Sequence, residues 1–114
     1  MNITISGIWI IALPLTLMVV DIVTGFLGAL LHKNLDSSKM RAGYFKKIGE
    51  IIMLAMVMLL CVSIGLNKAV GIGTSLYLVI TELMSIVENL NSLGVKVPKF
   101  LTDILHKADE EVKK

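Results

Sequence analysis

From Gly7 to Leu31 the chain carries a single charged side chain, Asp21, and a single proline, Pro14. Built as α-helix, that stretch is about 37 Å long, against a bilayer hydrocarbon core of about 30 Å. In lipid every backbone N–H and C=O must be satisfied within the segment, so a helix is the form such a run takes there. A cleaved signal peptide is the rival reading. It needs a cationic start and an apolar core of about 7–15 residues. Here no Lys or Arg precedes Lys33 and the run is longer, so the expectation is a retained span. Trp9, near its outer end, suits an interfacial aromatic anchor.

Two more apolar runs follow. Ile51–Leu66 is nearly pure Ile, Leu, Met and Val, and residues 48–50 extend it; after the turn Asn67-Lys68 comes Ala69–Val87. So short a connection predicts an antiparallel membrane hairpin. The alternative is one bent or interfacial unit, since both runs are near the lower length limit for a span. The reading is therefore an all-α, integral membrane chain with spans at about 7–31, 48–66 and 69–87, forming one domain over 1–114.

Between the first two spans lies a basic loop, 32–47, with Lys33, Lys39, Arg41, Lys46 and Lys47. A short loop with this cationic excess stays on the cytoplasmic side and meets anionic lipid headgroups. The expected topology is multi-pass, N-terminus outside and C-terminus inside. Only 18% of residues are charged, where a soluble domain has about a quarter, and the net charge of +2 is too small to suggest nucleic acid. After Val87, residues 88–94 are expected to fray out of the third helix. Val97-Pro98 then restarts the chain as an amphipathic helix, 98–112, with Phe100, Leu101, Ile104, Leu105, Ala108 and Val112 at helical spacing. That helix lies on the inner membrane surface or pairs with copies of itself.

Asp21 is the most informative residue. It sits about 15 Å from the inner end of its span, where a carboxylate costs on the order of 2.5–3.5 kcal/mol on insertion scales. With no Lys or Arg inside the spans, it is expected to be protonated, hydrogen-bonded to another helix, or facing water. It either lines a wet surface or makes an interhelical hydrogen bond. Gly25, Gly28 and Ala29 lie beside it, and small residues let membrane helices approach closely. In the third span Gly71, Ser75, Glu82, Ser85 and Asn89 share one helical face, either a pore-lining polar face or a packing surface. Glu82, near the inner end, is expected to snorkel.

A catalytic reading finds no set to assemble. His32 and His106 lack carboxylate or cysteine partners at ligand spacing, and Cys61 lies inside an apolar run. No metal site or cofactor motif is expected.

Asp21-Ile-Val-Thr-Gly25, Ser38-Lys39-Met40-Arg41-Ala42-Gly43 with Lys46-Lys47, Glu82-Leu-Met-Ser85-Ile86-Val87-Glu88-Asn89 and Val97-Pro98-Lys99-Phe100-Leu101 come in that order. This ordered set resembles the phage holin family, which includes toxin-secretion holins of clostridial type. The resemblance implies a small, non-enzymatic membrane protein that self-associates and opens lesions through which an endolysin or a toxin leaves the cell. Two rival functions remain at this point: an ion-coupled transporter subunit with Asp21 as its proton site, and a non-conducting membrane scaffold.

Overall fold

The structure is a computed structural model that describes residues 2–33 and 36–112. Four helices follow one another: α1 (Asn2–Leu31), α2 (Ser37–Ser63), α3 (Lys68–Ser92) and α4 (Lys99–Val112).

Each boundary has a local cause. Asp36 caps α2, its carboxylate accepting from the backbone N–H of Ser38 at 2.9 Å and of Lys39 at 3.4 Å. Asn67 caps α3 in the same way, accepting from Ala69 N–H at 3.0 Å. At the end of α3 the Gly94 N–H bonds the Asn91 carbonyl and the Val95 N–H bonds the Leu90 carbonyl, both at 3.0 Å. This pairing requires a left-handed residue, and Gly94 supplies it with φ +90°.

The cap at Asp36 corrects the expected loop. Residues 37–47 are the first turns of α2, and only the stretch from His32 to Asp36 connects it to α1, with Asn34 and Leu35 outside the described residues. Cationic side chains are good helix formers once a cap starts the helix. The expected fraying after Val87 is absent too. α3 stays helical through Ser92 because Asn89 and Ser92 are in contact with α1.

The contacts fix the relative directions. Ile10 meets Ser75, Asp21 meets Ser85, and Gly28 faces Ser92, so α1 and α3 run parallel at a near-constant offset. α2 runs the other way: Lys47 meets Glu82, Leu54 packs with Leu78, and Cys61 faces Gly71. The three long helices thus go up, down and up. α4 folds back beside the last turns of α3, with Leu105 near Leu83 and Val87.

Between the three helices the buried apolar cluster is small: Met18, Leu54 and Leu78, with Leu15, Met58 and Tyr77 around it. Large apolar side chains instead face outward, among them Trp9, Leu59 and Val62, the last 82% exposed. A water-soluble bundle would bury such residues; a hydrocarbon surrounding leaves them at no cost. α1 from Ile8 to Leu31 and α3 from Lys68 to Ser92 are long and apolar enough to cross a membrane, by length and composition. In α2 the apolar part, Ile48–Ser63, is shorter because cations occupy its first turns.

Candidate functional site

Pro14 shows how the polar residues are used. A proline has no N–H, so in α1 the carbonyl of Ile10 loses its intrahelical partner. The Ser75 hydroxyl of α3 donates to that carbonyl at 2.7 Å. Ser75, expected on a polar face, thus stitches α3 to the break in α1, as backbone freed inside a membrane requires.

Eleven residues further along α1, Asp21 is 7% exposed and meets three elements at once. Its Oδ2 accepts from Lys47 Nζ at 2.5 Å. Its Oδ1 accepts from the Ser85 hydroxyl at 2.7 Å and from Asn89 Nδ2 at 2.8 Å. The Asn89 amide also reaches the Asp21 carbonyl at 3.1 Å and the Thr24 hydroxyl at 3.0 Å. Lys47 Nζ donates in addition to Glu82 Oε2 at 2.8 Å, and Glu82 is 2% exposed. One ammonium from α2 therefore joins a carboxylate of α1 to a carboxylate of α3.

Two expectations change here. A cation does reach Asp21: it comes from the segment read as loop, and it reaches inward because helix α2 carries it down the side of α3. Glu82 does not snorkel outward; its partner lies inside the bundle. Lys47, expected at the headgroups with the other cations, is half-buried in this triad, while Lys33, Lys39, Arg41 and Lys46 are exposed.

The geometry around the triad follows from small residues. A Cβ on Gly25 would lie 3.4 Å from Asn89 Nδ2, and one on Gly28 the same distance from Ser92 Oγ. Glycine at these places lets α3 come close enough for Asn89 to reach the α1 backbone. Ala29 is half-buried on the same helix. Gly71 does the corresponding job against α2, where a Cβ would lie 3.1 Å from Met58 Sδ and 3.6 Å from Cys61 Sγ. At the end of α1, His32 Nε2 lies 2.8 Å from the Ser92 carbonyl. A carbonyl only accepts, so this nitrogen carries the proton and donates.

Of the five residues expected on a polar face, Asp21, Glu82, Ser85 and Asn89 are thus brought together with Lys47 inside the bundle, while Ser75 bonds α1 separately, at Ile10. Among the described residues no buried side-chain nitrogen or oxygen lacks a partner. With all three groups ionised the triad sums to a net −1. A polar cleft of about 210 Å³, lined by Gly43, Lys46, Glu50 and Thr81 as well as the triad, opens beside it. No group of three or more His, Cys, Asp or Glu placed to hold a metal occurs among the described residues. What the arrangement can do is hold three helices by one charged joint and store a polar surface away from lipid. Lys47 was missed because its partners lie 26 and 35 residues away in sequence. The available signal was two acids in apolar runs, which require a cation from the nearest segment.

Comparison with known proteins places this chain in a family. The family model described as the bacteriophage holin family matches residues 3–110. A protein of Bacillus phage phi105 with the name "Probable holin" is 34% identical over 94 residues, covering 82% of this chain and 70% of that protein. The uncharacterized protein YqxH of Bacillus subtilis (strain 168) is 31% identical over 106 residues, 93% of this chain and 76% of its own length. An uncharacterized protein of Halalkalibacterium halodurans is 32% identical over 113 residues, covering 91% of this chain and 84% of that protein. No solved structure matches. The chain belongs to the bacteriophage holin family.

Proposed function

We propose that the chain is a holin that homo-oligomerises in the bacterial cytoplasmic membrane and opens lesions that release an endolysin or a toxin. The observation that carries this reading is the Asp21–Lys47–Glu82 triad, which keeps the polar face of α1 and α3 turned inward. The fold described above is then the closed protomer. Leaving it requires α2 to withdraw Lys47, which bares Asp21, Ser75, Glu82, Ser85 and Asn89 together. That face cannot stay in lipid. Other copies and water cover it, and a ring of such faces is a water-lined lesion.

The topology reading has support from charge placement. Lys33, Lys39, Arg41, Lys46, Lys96 and Lys99 gather at the end of the bundle where α1 and α3 finish and α2 begins; among the described residues Lys68 is the cation at the other end. The first end is the cytoplasmic one, with the N-terminus outside. α2 crosses as a third span. Ile48–Ser63 alone would cover about 24 Å, and the neutralised Lys47 lets the crossing extend by a further turn. The cargo and lipid partners belong to this same reading.

The test is controlled expression in bacteria while membrane potential and release of a folded cytosolic reporter protein are followed. An abrupt, timed collapse with reporter release is expected, and Asp21→Asn, which weakens the joint to Lys47, should advance it. Collapse without protein release would mean a small pore or transporter. An unchanged potential at good membrane expression would leave a scaffold and remove the holin reading.

A further inference from the structure

Where α4 folds back along α3, an open groove of about 410 Å³ separates the two helices. Ile86 and Leu90 of α3, Leu101 and Leu105 of α4 and Val97 between the helices line it; Lys96 is the one charged side chain among its described lining residues. Ile104, which also lines it, and Phe100 are 58% and 63% exposed, and no residue of α4 is buried. An apolar slot with one exposed cation in its lining has the chemistry of a lipid tail below a phosphate. Its α3 wall is the last part of a membrane-length helix, so on the topology proposed above the slot opens into the inner leaflet at headgroup depth. Lys99 is the first residue of α4, and a helix N-terminus itself favours an anion.

The geometry points to a binding site for one anionic phospholipid of the inner leaflet, with an acyl chain in the α3–α4 groove and its phosphate on Lys96. A zwitterionic lipid would fill the groove equally well but gain less from the cation, because its ammonium group offsets the phosphate charge. A single Lys at an anionic surface is worth about fivefold in binding. The site rests on the cytoplasmic placement of α4 for its biological setting, though not for its binding chemistry.

The experiment uses the full chain purified in micelles with equal phosphatidylglycerol and phosphatidylcholine, with retained lipid counted by native mass spectrometry. One phosphatidylglycerol per chain should be retained in preference. Lys96→Gln, at an exposed position, should lower that retention about fivefold and lower phosphatidylcholine retention by less. Val97→Trp, which fills the slot, should remove both, and Lys39→Gln with Arg41→Gln should change neither. Equal retention of the two lipids, or a phosphatidylglycerol preference that survives Lys96→Gln, would overturn the site. So would a groove occupied by a second copy, seen as a dimer that excludes lipid and dissociates with Val97→Trp. Micelles have no inside, so a negative result leaves the topology untouched. Orientation is read separately by thiol labelling of Lys96→Cys in intact cells, in a Cys61→Ser background.

Discussion

Replacing Lys47 with Met keeps much of the side chain's length and removes its charge. Asp21 and Glu82, 7% and 2% exposed, would then face each other without a cation, and must either hold two uncompensated charges, −2 in place of −1, or take up a proton. Removing one partner of a buried ion pair costs about 3–5 kcal/mol. That is a shift of roughly two to three and a half powers of ten in the equilibrium between closed and opened protomer. In cells, reporter release from Lys47→Met should begin well before that of the parent at equal expression. In detergent its helical signal should melt earlier. Adding Glu82→Gln returns the site's charge to −1 and leaves Asp21 its Ser85 and Asn89 donors. The double variant should therefore recover at least half of the loss. If Lys47→Met behaves like Lys46→Met, an exposed neighbour, or if Glu82→Gln restores nothing, the triad is not the joint that holds the helices.

Further outcomes follow from the same contacts. Ser75→Ala leaves the Ile10 carbonyl without its donor and should cost about 1–2 kcal/mol in a denaturant titration in micelles; adding Pro14→Ala supplies the missing N–H and should abolish most of that cost. Gly25→Val should separate α1 from α3, because the added carbons meet Asn89, whereas Gly73→Ala has open space around it and should be neutral or slightly stabilising; thermal melts of the two variants give the comparison. His32→Phe loses the bond to the Ser92 carbonyl and should lower stability by about 1 kcal/mol, with a matching rise in hydrogen exchange at the end of α3.

The long helices were legible because apolar runs of membrane length leave the backbone few choices. α1 and α3 could be read this way from Gly7–Leu31 and Ala69–Val87 alone. The start of α2 was not, because a dense run of Lys and Arg reads as loop while the capping residue Asp36 is a single weak signal. Asp21, Ser85 and Asn89 were legible as members of polar faces. Their convergence was hidden, since it depends on the parallel register of α1 and α3, which no local pattern encodes. Ser75 is the instructive case. Pro14 leaves the Ile10 carbonyl without an intrahelical donor, and only the fold shows that the Ser75 hydroxyl supplies one.

The central claim is that lesions form when α2 leaves α3. A Cβ on Gly71 lies 3.6 Å from the sulfur of Cys61, the only cysteine, and the Met58 side chain beside it is flexible enough to move aside. Gly71→Cys should therefore close a disulfide between α2 and α3 on oxidation, verified by loss of free thiol labelling. The account predicts that cells expressing the oxidised variant keep their membrane potential and reporter protein, and that added reductant then triggers release. Release on the normal schedule with the disulfide intact would contradict it.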